Sequence, residues 1–208
     1  MKFVDVEQGS FEWHALRRTK IGASSSPSLL NLSPYKTPVD VYNEMVFGEK
    51  GYVNAAMQNG TDKEGEARDY FNSIIPTPGE QYKFSPAVVV SEEYDFLMAS
   101  LDGINASHNV ILEIKVPGQK VYEQCFLDNV PIHWEYQIQH QLAVTGLDLA
   151  ILFVYRSPTD NVIVRYPRDE KKIAEIVAAC QKFEEENLST FTCPDSKRDI
   201  KLWSKILK

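Results

Sequence analysis

The apolar run Leu149-Ala150-Ile151-Leu152-Phe153-Val154-Tyr155 constrains the fold more than any other stretch of this chain. It is rich in branched and aromatic side chains and is closed by Ser157-Pro158-Thr159-Asp160, so it reads as a strand followed by a turn. Asn161 to Tyr166 pairs back across that turn as the second arm of a hairpin. Such a strand must be covered, and the sequence offers the helices to cover it. Lys171 to Glu186 carries Ile173, Ile176, Val177, Cys180 and Phe183 at helical spacing, the stripe of a core-facing helix. His133 to Val144 follows Pro131 and sets Ile138 and Leu142 on one apolar face. This pattern predicts an α/β fold with a central mixed β-sheet flanked by helices.

The N-terminal half supplies the rest of that architecture. Ser10 to Leu16 reads as a short helix, with Ser10 as its cap and Trp13 and Leu16 inward. Pro38 to Phe47 reads as a second, with Pro38 in its first turn, Val39, Tyr42 and Val46 as its apolar side, and Gly48-Glu49-Lys50-Gly51 as its end. Ala55 to Phe71 predicts a third helix despite Gly60 and Gly65, each of which costs about 1 kcal/mol relative to alanine. Close packing or the approach of a substrate would explain them. Beyond a turn at Pro76-Thr77-Pro78-Gly79-Glu80, strands are predicted at Ala87 to Val90, Phe96 to Leu101 and Val110 to Val116, the last stopped by Pro117-Gly118. At 208 residues the chain holds one full core, so a single domain over 1–208 is expected. It ends in a basic segment at about 192–208, with Lys197, Arg198, Lys201, Lys205 and Lys208.

The segment from Leu101 to Lys115 carries the chemistry. Val110, Leu112 and Ile114 alternate with Ile111, Glu113 and Lys115, the period of a strand whose second face is largely polar. Asp102, delivered at the carboxyl end of the preceding strand, and Glu113 then fall at neighbouring strand ends. Two hard carboxylates suit Mg2+, with Mn2+ as a substitute, and the Ile114 backbone carbonyl between the charged side chains offers a further oxygen. A phosphodiester is anionic and resists attack by another anion, so its hydrolysis wants such a metal; Lys115 would orient the attacking water or stabilise the charged transition state. A plainer reading stands beside this one. Asp102-Gly103 is an ordinary turn signal, and Glu113 and Lys115 could be the wet face of an edge strand.

Three other positions carry the same two-sided reading. Gly60, Glu64 and Arg68 share a helix face, so Glu64 is either the ion-pair partner of Arg68 or a third acidic group of the site. Gln137, one turn before Gln141, both donates and accepts hydrogen bonds, useful on a water or phosphate oxygen and equally in polar packing. In Gly22-Ala23-Ser24-Ser25-Ser26-Pro27, small hydroxylated residues entering a helix would let a phosphate approach backbone N–H groups. The alternative there is a serine-rich cap beside a solvated Arg17.

Charge and cysteine usage narrow the function classes. Lys and Arg number 22 against 29 Asp and Glu, a net charge of -7 that weakens any sequence-independent DNA-coating role, because such binding rests on phosphate neutralisation. An acidic exterior around a locally basic channel is still compatible with a nuclease. Cys125, Cys180 and Cys193 are widely spaced and form no CxxC or His–Cys pattern, which argues against a disulfide framework, a zinc site or an iron–sulfur cluster. The first residues lack a secretory core and no run approaches the roughly 20 apolar residues of a membrane span, so a cytoplasmic protein is expected.

Four motifs in order carry a resemblance. They are Trp13-His14-Ala15-Leu16-Arg17-Arg18-Thr19-Lys20-Ile21-Gly22-Ala23-Ser24; Gly60-Thr61-Asp62-Lys63-Glu64-Gly65-Glu66-Ala67-Arg68; Ser100-Leu101-Asp102-Gly103 with Glu113-Ile114-Lys115; and Tyr136-Gln137-Ile138-Gln139. Spread over about residues 8 to 155, the set resembles the lambda-exonuclease or YqaJ-like phage recombination exonucleases of the PD-(D/E)xK nuclease superfamily. Leu101 stands where that superfamily often has proline, a position without side-chain chemistry. Glu92 or Glu93 is a candidate for the further acidic residue that some relatives carry upstream.

The resemblance implies a restriction-endonuclease-like core and a Mg2+-dependent 5'-to-3' exonuclease. Its substrate would be the ends of linear double-stranded DNA, its products 5'-mononucleotides and 3' single-stranded overhangs. Asp102 and Glu113 would hold the metal; Glu64, Lys115 and Gln137 would organise the water and the scissile phosphate. Arg17 and Ser24 would hold the terminal 5' phosphate. A homotrimeric ring around DNA, a single-strand annealing recombinase as partner and, for a phage-encoded chain, the cytoplasm of a bacterial host follow from the same resemblance. His14, His108, His133 and His140 have no part in the scheme, and His108 is expected as a polar turn residue. The competing readings are a restriction-type endonuclease that cuts internally and a non-catalytic DNA-end-binding recombination protein.

Overall fold

In the computed structural model, which describes residues 1–48, 55–75 and 82–188, the apolar run Leu149–Tyr155 is a strand. It pairs in parallel with Ile111–Lys115 and antiparallel with Asn161–Pro167 across the expected turn, where the Asp160 N–H donates to the Ser157 carbonyl. In chain order the strands are β1 (Lys2–Val4), β2 (Ile21–Gly22), β3 (Phe84–Val90), β4 (Leu97–Asn105), β5 (Ile111–Lys115), β6 (Leu149–Tyr155) and β7 (Asn161–Pro167). Among the described residues they form one seven-stranded mixed sheet in the order β1-β3-β4-β5-β6-β7, with β2 parallel to β4. The sequence-predicted turn at 76–80 and the basic segment at 192–208 lie outside the described residues.

Helices α1 (Phe11–Arg17), α2 (Ser26–Leu29), α3 (Pro38–Phe47), α4 (Ala55–Ile74), α5 (Gln119–Phe126), α6 (Ile132–Thr145) and α7 (Glu170–Phe183) flank the sheet. Strand alternation divides the core between two faces. Ile111, Ala150, Leu152 and Val154 share one cluster with Ile138 and Leu142 of α6 and with Ile173, Ile176, Cys180 and Phe183 of α7. Leu112, Ile114, Phe153 and Tyr155 share another with Ala67 and Phe71 of α4. A third cluster seats Leu16 of α1 with Val88, Val90 and Met98. Among the described residues no helix is long and apolar enough to cross a membrane.

Local chemistry sets the helix ends. The Trp13 N–H donates to Ser10 Oγ at 3.1 Å, capping α1. A reciprocal capping box between Thr37 and Asp40 opens α3, and Gly48, at φ +68°, closes it. The face that α3 buries keeps two of the expected residues, the buried Val46 and the half-buried Tyr42, but is centred elsewhere: Val41 and Met45 are buried and Val39 is exposed. A helix this apolar offers overlapping stripes, and packing into the core that also holds Ile21 and Val89 takes the Val41–Met45 stripe. Helix α5 follows directly on Pro117-Gly118, with Gly118 as its N-cap, so the strand-stop signal is also a helix start. Helix α6 is tied to β4 by the fully buried His140, whose Nε2 lies 3.1 Å from the Met98 carbonyl oxygen. Burial pushes that imidazole down to about 4, so it is a neutral core group.

Candidate active site

Strands β4 and β5 keep only a short ladder, Gly103 with Leu112 and Ile104 with Ile111, and then part. At the fork, Asp102 Oδ2 accepts the Ile114 N–H at 2.7 Å, filling a place a strand carbonyl would otherwise take. Asp102 therefore lies inside β4, not at its carboxyl end as the sequence suggested. Gly103 is not a turn residue either. A Cβ there would stand 2.9 Å from Phe84 Cβ and 3.1 Å from Leu112 Cβ, so close packing within the sheet explains this glycine. The chain reverses later, where His108 adopts φ +52° and its N–H donates to the Asn105 carbonyl at 2.8 Å. His108 is the turn residue expected of it.

Glu113 is not on a wet face, as the plainer reading had it, but only 2% exposed. Helix α6 reaches it with two side chains one turn apart: Gln137 Nε2 donates to Oε1 at 2.6 Å and Gln141 Nε2 donates to Oε2 at 2.5 Å. The Lys115 ammonium lies 2.6 Å from the same Oε1 and donates to Gln137 Oε1 at 3.1 Å. It also stands 5.9 Å from the centre of the Trp134 ring. Period-two alternation identifies Glu113 as polar among apolar neighbours. It carries no information on whether a helix with complementary amides covers that face. Gln141 was absent from the sequence-derived site, and its four-residue spacing from Gln137 was the signal that could have found it.

Helix α4 brings the third acidic group. Arg68 Nη1 lies 3.0 Å from Glu64 Oε1 and donates to the Asp102 main-chain oxygen at 2.7 Å. The ion pair foreseen for Glu64 exists, and it tethers α4 to the strand that carries Asp102. Among the described residues, close packing does not explain Gly60 and Gly65, since a Cβ on either would meet nothing within 4 Å there.

These groups make an acidic centre with two half-buried cations, Lys115 against Glu113 and Arg68 against Glu64. Burial, then the charges of Glu113 and Glu64, hold the Asp102 carboxyl well above the ordinary aspartate range, against the pull of Lys115 and the Ile114 N–H. Burial lowers the Lys115 ammonium, but Glu113, Asp102 and Glu64 outweigh it, so the lysine ends above its usual value and stays charged. A divalent cation fits this set, because it would offset the burial and the carboxylate repulsion that together raise Asp102, and the available donors are hard oxygens. Among the described residues no three or more His, Cys, Asp or Glu side chains form a metal cage. Mg2+ needs no such cage, since it keeps several waters and is commonly bound through one or two carboxylates.

Arg17 and Ser24 also come together, apart from the acidic cluster. Arg17 Nη2 donates to Ser24 Oγ at 3.4 Å, and the guanidinium stacks 4.7 Å from the Trp13 ring centre. Burial lowers the Arg17 guanidinium while Glu44 raises it. Trp13 Nε1 in turn donates to Ser100 Oγ at 2.8 Å, linking the pair to β4 two residues before Asp102. Ser25, Ser26 and Ser28 are buried while Ser24 is exposed, so only part of the serine run faces outward. Glu92 is 69% exposed and pairs with the Met1 ammonium at 2.6 Å. Tyr136 packs against the core and donates its hydroxyl to Glu175 Oε2 at 2.6 Å.

Residues 12–148, more than half of the chain, match the family profile described as the YqaJ-like viral recombinase domain. A curated relative is the "Uncharacterized protein YqaJ" of Bacillus subtilis (strain 168), 25% identical over an alignment of 148 positions that covers 67% of this chain and 44% of that protein. The chain thus spans less than half the length of that relative. Among solved structures, LHK-Exo, an alkaline exonuclease from Laribacter hongkongensis, is similar in its complex with dAMP, with a TM-score of 0.71 at 22% identity over 94% of this chain and 97% of that one. A phage related exonuclease from Haemophilus somnus 129PT has a TM-score of 0.58 at 16% identity, covering 85% of this chain and 98% of that one. At these identities the likeness establishes the fold, a mixed sheet flanked by helices of the restriction-endonuclease-like kind.

Proposed function

The chain belongs to the YqaJ-like viral recombinase domain family of the PD-(D/E)xK nuclease superfamily, and from that membership we propose that it is a Mg2+-dependent nuclease acting on DNA. The finer reading is an exonuclease that degrades one strand of a linear duplex from its 5' end. One observation supports the nuclease reading, while the polarity comes from the family resemblance: Asp102, Glu113, Lys115 and Gln137, drawn from two strands and a helix, meet at the β4–β5 fork with Glu64 tethered beside them. The similar Laribacter structure is that of an alkaline exonuclease, which supports the same activity.

Asp102, Glu113 and the Ile114 carbonyl would hold Mg2+, which when bound supplies Lewis-acid charge at the scissile phosphate. Lys115 keeps a positive charge beside Glu113, placed to orient the attacking water or to meet a phosphate oxygen. Gln137 accepts from Lys115 through its carbonyl and donates to Glu113 through its amide, which fixes both partners relative to each other. Glu64 would accept a hydrogen bond from the attacking water on the α4 side, while Arg68 pairs with Glu64 and holds that helix to Asp102. In-line attack breaks the bond between phosphorus and the 3' oxygen and releases a 5'-mononucleotide. Arg17 and Ser24 hold the terminal 5' phosphate. The remaining 3' overhang passes to a single-strand annealing recombinase, and a homotrimeric ring retains the duplex by topology, which reconciles processive action with a net charge of -7.

End-labelled linear duplexes bearing 5'-phosphate or 5'-hydroxyl ends, beside a sealed circle, test the reading in Mg2+ and in chelator. The expected result is nucleotide release from linear DNA only, faster from phosphorylated ends and abolished by chelation. Equal attack on the circle would make the protein an endonuclease. Metal-independent end binding without released nucleotides would make it a scaffold.

A further inference from the structure

Glu113 is gripped at both oxygens by amides from successive turns of α6, and the two grips differ in kind. Oε1 is shared by Gln137 and Lys115, both partly exposed, so these donors can yield when a cation or phosphate enters. Oε2 is held by Gln141, which is fully buried. That placement is costly, because Gln141 Oε1 is buried without a hydrogen-bond partner. Turning the amide over offers no relief. It would set a carbonyl oxygen 2.5 Å from a carboxylate oxygen, acceptor against acceptor.

The flanking positions Ile138, Leu142 and Val144 are buried and apolar, so a methionine or leucine at 141 would suit the helix and remove the orphaned Gln141 acceptor, while taking from Glu113 Oε2 its side-chain donor. Gln139 supplies the contrast. Equally buried, it has both amide ends satisfied, by the Pro167 carbonyl at 2.8 Å and the Asp169 N–H at 2.9 Å, and it fastens α6 to the connection between β7 and α7. Gln139 serves the fold, whereas Gln141 spends half its hydrogen-bonding capacity to reach one acidic oxygen.

We propose that Gln141 is a positioning residue that fixes Glu113 with Oε2 toward the core and Oε1 toward the reaction centre. This assignment rests on the nuclease reading, in which Glu113 is a metal ligand. A group that orients a ligand carboxylate from behind governs metal affinity and turnover without touching the substrate.

The test compares Gln141→Met and Gln141→Leu with Gln139→Met in the full chain. It measures thermal unfolding, Mg2+ binding by calorimetry without DNA, and kcat and KM for nucleotide release from a linear duplex. The Gln141 variants are expected to bind Mg2+ about 10–100-fold more weakly and to lose kcat by a similar factor, with KM for DNA nearly unchanged and a melting temperature no lower than that of Gln139→Met, because the lost donor to Glu113 is set against relief of the orphaned Gln141 oxygen. Gln139→Met should melt lower while keeping wild-type Mg2+ affinity and kcat. Gln141 variants with wild-type Mg2+ affinity and kcat, or with losses that merely follow a lowered melting temperature, would overturn the assignment. A wild-type chain that binds no Mg2+ and releases no nucleotide would overturn the nuclease reading itself, and this assignment with it.

Discussion

Asp102 and Glu113 stand on neighbouring strands at one fork, and the fold treats them in opposite ways. Glu113 has side-chain donors on both oxygens, from Lys115, Gln137 and Gln141. Asp102 receives the Ile114 N–H, lies near two further acidic groups, and has its carboxyl held well above the ordinary range. One carboxylate is prepared by the protein; the other is left in electrostatic conflict. On the proposed nuclease reading, the difference teaches that an entering cation would gain most at Asp102 and would be aimed by Glu113.

The strongest way to break that contrast is Asp102→Asn. Nucleotide release should fall by more than the roughly 10–100-fold typical of residues that only support a ligand. The same variant tests the electrostatics through stability. A carboxyl raised in the folded chain binds its proton more tightly there than when unfolded, so its contribution is lost as pH climbs from the ordinary aspartate range through the raised value. In chelator, wild-type melting temperature should fall across that window, whereas Asp102→Asn should show a flatter profile and melt higher above it. Added Mg2+ should raise the wild-type melting temperature and leave the variant unmoved.

Arg68→Leu loosens the Asp102 side alone. It removes the donor shared by Glu64 and the Asp102 carbonyl and should cost about 1–3 kcal/mol in denaturant unfolding, with kcat falling more than KM. Two glycines then sharpen the comparison with opposite signs. Gly103→Ala forces a Cβ against Phe84 and Leu112 and should destabilise by about 1–3 kcal/mol. Gly65→Ala meets open space on α4 and should stabilise by about 1 kcal/mol, so a loss of DNA affinity there without loss of stability would mark α4 as a surface that DNA approaches. The smallest effect belongs to His108→Ala, whose stability should change by no more than about 0.5 kcal/mol and whose nucleotide release should stay near wild type.

Much of the architecture was legible because its strands are strongly patterned. Leu149 to Tyr155 and its hairpin partner fall where their composition puts them, as do α3 between Pro38 and Gly48 and the core stripe of α7. Glu64, Asp102, Glu113, Lys115 and Gln137 also meet as a set. What escaped was three-dimensional. No local pattern says that Gly103 is required by a neighbouring strand, that α6 buries the polar face of β5, or that Arg68 reaches a main-chain carbonyl 34 residues away. Gln141 escaped for the same reason, since its partner is fixed by packing of helix on sheet.

Calorimetric titration of Mg2+ into the wild-type chain, Asp102→Asn and Glu113→Gln, each shown to be folded, tests most directly that these two carboxylates share one cation. The account predicts saturable binding to the wild type and its loss in both variants. Wild-type affinity in either variant would contradict it.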